Sequence, residues 1–452
     1  MGQDQSRHDQ SLLSFSESER WTLKELANSL SSSSDASIPS DSLESHFTSH
    51  NTPPQLARAL VLFLQNPTST SSKRKLNFLI PMARIAAGVH SLVYGTSSDK
   101  ARLVDVYSAS PADFVTDLAA TGLLFYEASA GCGGQSLQKL SQNPHQKQAK
   151  TAAVSSRLVA FVLSRQSKDQ PESYSAIDLE QGLASNASLL ALWNLAFSHL
   201  LLDPMHLVFA PSATALRHTH DATHPQYDAH ISALRVSGLK RPRLSARSAI
   251  LSLEDIWTLD HSVSADHRSR AWTCIYSSAT SGKSWTNFTS AITDRGSTLV
   301  VIRDEAGHAF GGFASVEWNT CPKFYGDSKS FLFSLTPELD IFRPTGYNVR
   351  PSPTQLHPLI PPTINSLQQD HFQYLNHGLK SLPNGLGFGG QMDYWALWID
   401  AGFETGCSKA HPRSTTYNSP RLSEEENFRI VDGKSLFVTI LETSGLPPNR
   451  SC

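Results

Sequence analysis

The chain has 452 residues, 39% apolar and 9% aromatic, enough to bury the cores of two to four ordinary domains. Its formal net charge is −2 and its charged fraction only 17%, so no overall basic field draws nucleic acid. No window of about 18 apolar residues is present to span a membrane, and the N-terminus lacks the apolar core of a signal peptide.

Residues 1–14 read as a disordered leader, and Met1-Gly2-Gln3-Asp4-Gln5-Ser6 matches the M-G-x-x-x-[ST] acceptor pattern for N-myristoylation at Gly2. One myristoyl chain binds membranes only marginally, and the leader offers neither a basic cluster nor a cysteine as a second signal. A membrane-bound partner is therefore expected to help.

A helical domain is expected over 15–209. Ser16-x-x-Glu19 is a capping box ahead of Leu23, Leu26, Ala27 and Leu30 at helical spacing. Ser31–Ser34 end that helix in a linker. Leu56–Leu64 predict a second helix stopped by Asn66-Pro67, and Leu76–Val89 a third broken at Pro81. Ser110-Pro111 opens another, and helices are expected near 149–165, 176–184 and 188–202, the last apolar nearly all round and so buried. Paired helices suggest EF-hands, but no D-x-[DN]-x-[DN]-G loop is present, so a degenerate domain without calcium is expected.

Residues 210–246 read as a linker containing histidines and prolines. From 247 to 443 the pattern becomes α+β: a capped helix at Ser252-x-x-Asp255, a possible strand at Trp272–Tyr276, a helix around Trp285 and Ile292, then short β-branched or aromatic runs. These runs are Thr298–Arg303, His308–Val316, Ser330–Leu335, Trp395–Ile399 and Leu436–Leu441, with Asp304–Gly307 as a hairpin turn. Residues 444–452 form a short tail.

No catalytic residue, metal site or cofactor emerges. Gly282-Lys283-Ser284 has the Walker A ending between a strand and a helix, but Ser277 stands where the pattern needs glycine. Gly385–Gly390 resembles a dinucleotide loop only in glycine count and predicts a tight corner packed under Phe388 and Trp395. His218, His220, His224 and His230 are the only metal-like cluster, on a loop without a frame, and Cys407-x-x-x-His411 lacks further ligands. Five scattered cysteines (Cys132, Cys274, Cys321, Cys407, Cys452), never spaced C-x-x-C, predict free thiols in a reducing compartment. The alternative to a non-enzyme is a nucleotide hydrolase at Lys283 or a thiol-redox protein using Cys274, Cys321 or Cys407.

The ordered motifs of the second half carry a resemblance. Trp272–Ala279 with Ser284–Phe288 looks like the entry of the TLDc domain. Phe310–Ala314, Phe324–Asp327, Ser330–Phe333, Phe342–Gly346, Asn384–Gly390, Phe403–Gly406, Thr415–Ser423 and Phe428 follow in the family's order. With the helical domain and the Gly2 signal, the chain resembles the N-myristoylated lysosomal, TOR-associated branch, with fungal restriction-of-telomere-capping relatives as cousins. The Trp-Gly pair that usually ends the family is replaced by Phe437–Leu441, and the chain stops at Cys452, short of the longer C-terminal helix of some members. The resemblance implies a β-sandwich flanked by helices and no enzymatic activity. It implies binding to the vacuolar-type proton ATPase on lysosomal or vacuolar membranes, and links to TOR signalling and oxidative-stress resistance.

Overall fold

The computed structural model describes residues 12–31, 37–68, 79–107, 109–129, 157–163, 176–202, 242, 244–245, 248, 250–268, 270–346, 371–379, 381–431 and 436–441. The chain divides into two compact units, Met1–Arg241 and Pro242–Cys452. Gly2, the His218–His230 cluster and the 444–452 tail lie outside the described residues.

In the first unit, helix α1 (Glu17–Leu30) starts at the expected capping box: Ser16 Oγ accepts the Glu19 N–H, and the Glu19 carboxylate accepts the Ser16 N–H at 2.8 Å. Strand β1 (Ser37–Pro39) leads into α2 (Ser40–Ser49). Helix α3 (Pro54–Gln65) and strand β2 (Leu79–Pro81) lead likewise into α4 (Met82–Val93). The two strands pair antiparallel through Ile38↔Ile80. Two helix–loop–helix units joined by a short ladder have the layout of an EF-hand pair. Among the described residues, no group of three or more His, Cys, Asp or Glu is arranged to hold a metal.

Two expectations change here. No helix is broken at Pro81; the residues before it form β2, because the residue preceding proline favours extended backbone and Pro81 caps α4 from outside. Helices α2 and α5 (Ser97–Val106) were not anticipated, although Leu43, His46 and Phe47 on α2 are buried at helical spacing.

Helix α6 (Pro111–Ser129) begins at Ser110, whose Oγ accepts the Asp113 N–H at 3.1 Å. A helical stretch at 157–163, α7 (Ala176–Ser185) and α8 (Ala187–Leu202) follow. Helix α8 is buried as its composition predicts, and Trp193 Nε1 donates to Leu92 O of α4 at 2.8 Å. No described helix is long and apolar enough to cross a membrane.

The second unit opens with α9 (Leu253–Ser262), held by the Ser252/Asp255 capping box. Strand β3 (Trp272–Ser277) follows, then the one-turn α10 (Ser278–Ser281), α11 (Trp285–Ile292), β4 (Thr298–Arg303) and β5 (Ala309–Ala314). After these come β6 (Cys321–Tyr325), β7 (Phe331–Thr336), β8 (Asp340–Phe342), β9 (Gln373–Asn376), β10 (Gly385–Gln391), β11 (Tyr394–Asp400), β12 (Thr405–Cys407), β13 (Asn427–Arg429) and β14 (Leu436–Leu441). They build two six-stranded antiparallel sheets, ordered β3-β14-β4-β5-β7-β8 and β13-β12-β11-β10-β9-β6. Val300, Phe310 and Leu332 of the first sheet share one buried core with Leu386, Phe388 and Leu397 of the second. The β4–β5 turn is the expected hairpin with Gly307 at φ 91°, and its Glu305 N–H bonds Arg429 O at 3.0 Å, stitching one corner between the sheets. The expected α+β architecture, helices first and a helix-flanked sandwich second, is the one observed.

Each unit holds a histidine kept neutral, His46 buried and His261 part-buried. Burial, with His50 beside it, lowers the His46 pKa from 6.5 to about 3; burial, with Arg268 beside it, lowers that of His261 to about 4. Unfolded histidine binds its proton near pH 6.5, so stability is complete above that value and falls as the pH drops toward those depressed values. The unfolding free energy is expected to fall between about pH 7.5 and pH 5, by up to about 1.4 kcal/mol per pH unit for each histidine, and the urea midpoint to fall with it. Equal midpoints at both pH values would show that neither ring is held neutral.

Candidate functional site

The motifs that stood out in the sequence resolve into packing. Gly385–Gly390 is not a corner: it forms most of β10, paired with β9 on one side and β11 on the other. Leu386 and Phe388 point into the inter-sheet core, so Gly385 and Gly387 face the other way. There the ring of Trp395 lies 2.6 Å from where a Cβ on Gly387 would stand, with Trp398 at 3.1 Å. Trp395 and Trp398 stack at 4.5 Å and form a second cluster with Tyr374 and Cys407, with Phe324 and Met392 against it. Gly311 and Gly312 of β5 work the same way: a Cβ on Gly312 would stand 2.7–2.9 Å from the Phe388 ring. These glycines are filled by aromatic rings instead of cradling a ligand.

Gly282-Lys283-Ser284 does not form a phosphate loop. The one-turn α10 intervenes between β3 and Lys283, Gly282 ends it at φ 66°, and Ser284 caps α11 by accepting the Asn287 N–H at 3.3 Å. The buried end of this region is aromatic: Phe403, at φ 56°, packs on Trp285 and Phe288 at 5.0 Å each. A bulky residue in the left-handed region is unusual and is retained here by that burial.

Cys407 and His411 do not converge on a metal position among the described residues. Cys407 is buried, and burial pushes its thiol up to about 11. It is expected to resist iodoacetamide in the native protein near neutral pH and to react only on unfolding, as read by intact mass. Rapid native alkylation would contradict its placement.

The loop from Ser408 to Ser423, which includes the Thr415–Ser423 motif, is buried in a way its polar composition did not reveal. Tyr417 is fully buried and donates to Phe372 O at 2.8 Å, while Thr416 Oγ1 accepts the Gly390 N–H at 2.9 Å. Ser408 Oγ donates to Ala396 O at 2.8 Å and accepts the Leu422 N–H at 3.0 Å. Nearly every buried hydroxyl here is satisfied, so the loop is a structural plug under the second sheet. Its cue was the clustering of Ser, Thr and Tyr beside the glycine strand.

Comparison with known proteins converges on the same segment. The family model described as TLDc domain matches residues 244–432. The chain is 43% identical over 159 residues to MTOR-associated protein MEAK7 of Gallus gallus, covering 35% of this chain and 30% of that protein. It is 39% identical over 181 residues to the Homo sapiens protein of the same name, covering 40% and 35%. Against Oxidation resistance protein 1 of Rattus norvegicus it is 27% identical over 193 residues, covering 42% and 19%. The chain thus spans about a third or less of the length of these curated relatives. The second unit, with its two sheets, glycine–aromatic strands and buried Tyr417 loop, thus contains a segment, residues 244–432, that is similar to the TLDc domain.

Proposed function

We propose that the chain is a non-catalytic adaptor on lysosomal or vacuolar membranes. An acyl group on Gly2 gives weak, reversible attachment, and the TLDc unit docks on the vacuolar-type proton ATPase. Two weak tethers then reinforce each other through effective concentration. The carrying observation is that Gly312 and Gly387 face the rings of Phe388, Trp395 and Trp398, which favours a scaffold role for the glycine motifs over a ligand cradle. Relatives named for MTOR association and oxidation resistance support a role feeding TOR signalling or stress resistance. The raised Cys407 pKa and the interrupted Gly282–Ser284 loop favour this reading over thiol-redox or nucleotide chemistry.

Membrane fractionation tests it. Gly2→Ala is expected to release the protein partly, and removal of 247–443 as well to release it fully. Unchanged membrane residence of Gly2→Ala would sink the acyl part of the proposal.

A further inference from the structure

The first described turn sorts its apolar residues oddly. Leu12 and Phe15 are buried, and the Phe15 N–H bonds Leu12 O at 3.1 Å, which fixes the turn against the helical unit. Leu13 between them is turned outward and is 69% exposed. The Phe15 ring meets the ring of Tyr94 edge-on at 6.1 Å. Tyr94, just past the end of α4, is 50% exposed, and its hydroxyl is held by the Glu19 carboxylate, so the side chain is fixed while half of it stays in water. Single exposed apolar residues are ordinary; here Leu13 stands two positions before Phe15 and Tyr94 packs on Phe15, so the two exposed side chains flank one buried anchor.

The position of this patch in the chain says what covers it. Only nine residues separate the Gly2 acceptor from Leu12, a reach of about 35 Å fully extended. An acyl chain inserted in a bilayer therefore keeps Leu13 and Tyr94 close to that bilayer. A leucine and a half-exposed tyrosine are the side chains that enter the headgroup boundary, the tyrosine with its polar end kept wet. We propose that Leu13 and Tyr94 form a lipid-contacting patch, the second apolar contact that a lone acyl chain at Gly2 lacks. This rests on the acylation of Gly2 proposed above.

Charge selects the lipid. Between Gly2 and Arg20 stand Asp4, Asp9, Glu17 and Glu19 against Arg7 and Arg20, so an anionic surface offers no attraction. The patch suits an electrically neutral, phosphatidylcholine-like surface, and its binding is apolar and nearly independent of salt.

The test uses the full chain co-expressed with an N-myristoyltransferase, intact mass to read the acyl group, and sedimentation with phosphatidylcholine vesicles. Leu13→Ser is expected to lower the partition coefficient about tenfold while thermal unfolding stays unchanged, because that side chain lies at the surface. Leu13→Ser/Tyr94→Ser is expected to partition more weakly still, with some loss of thermal stability as the Phe15 and Glu19 contacts of Tyr94 are removed. Adding phosphatidylserine to the vesicles is expected not to raise binding. An acylated Leu13→Ser protein that partitions like the unsubstituted protein overturns the patch and leaves acylation standing. Absence of the acyl group by mass overturns the tether and the patch with it. A marked gain on phosphatidylserine vesicles overturns the neutral-lipid assignment.

Discussion

Gly311→Ala is expected to destabilise the second unit severely. In β5, Gly311 lies opposite Val301 and Phe333 in the two flanking strands, and any Cβ there collides with the Val300 carbonyl oxygen and stands 2.7 Å from the Phe333 ring. The ring could turn aside, but the carbonyl belongs to the central ladder and cannot move without breaking register. Overpacking at such a site costs about 3 kcal/mol or more, a large part of the stability of an ordinary domain. Gly307→Ala is the control. Gly307 has φ 91° but nothing within 4 Å of the added methyl, so its cost is confined to backbone strain of about 1 kcal/mol. Chemical unfolding of both variants measures the contrast. Equal stability would mean that the close approach of β4 to β5 is misplaced.

Deleting 436–441 is expected to be as damaging, although those residues lie beyond the segment matched by the family model. Strand β14 is inserted in the middle of the first sheet, with Phe437 opposite Ser277 on one side and Val301 on the other. Without it β3 loses its partner strand, and β4, which reads Thr-Leu-Val-Val-Ile-Arg, becomes an open apolar edge. An exposed edge of that composition pairs with other chains. The shortened protein is expected to be insoluble or protease-sensitive throughout the second unit. Solubility and protease resistance equal to the full chain would show that β14 is dispensable.

The sequence was legible wherever a segment was long and periodic. Helices α1, α3 and α8 and strands β4 and β14 sit where capping, helical spacing and β-branched runs place them. Strands of three to five residues were not. Asp340–Phe342, Gln373–Asn376, Thr405–Cys407 and Asn427–Arg429 carry too few residues for an alternation and exist because distant strands pair with them. The Gly385–Gly390 run misled for a physical reason: the glycines compensate for Trp395 and Trp398, a relation that only the fold brings together. Thr415–Ser423 stood out as a motif, but not its burial, because its polar groups are satisfied by one another and by strand backbone out of sight. The Ile38↔Ile80 pairing that joins the two helix–loop–helix units was not readable, because each strand is only three residues long.

The most direct measurement is affinity purification of the full chain from cells, with bound proteins identified by mass spectrometry and Gly2→Ala and Gly311→Ala run alongside. Subunits of the proton-pumping ATPase are expected with the unsubstituted chain, in reduced amount with Gly2→Ala, and not with Gly311→Ala. Recovery of the folded chain, membrane-associated but free of ATPase subunits, would contradict the adaptor reading.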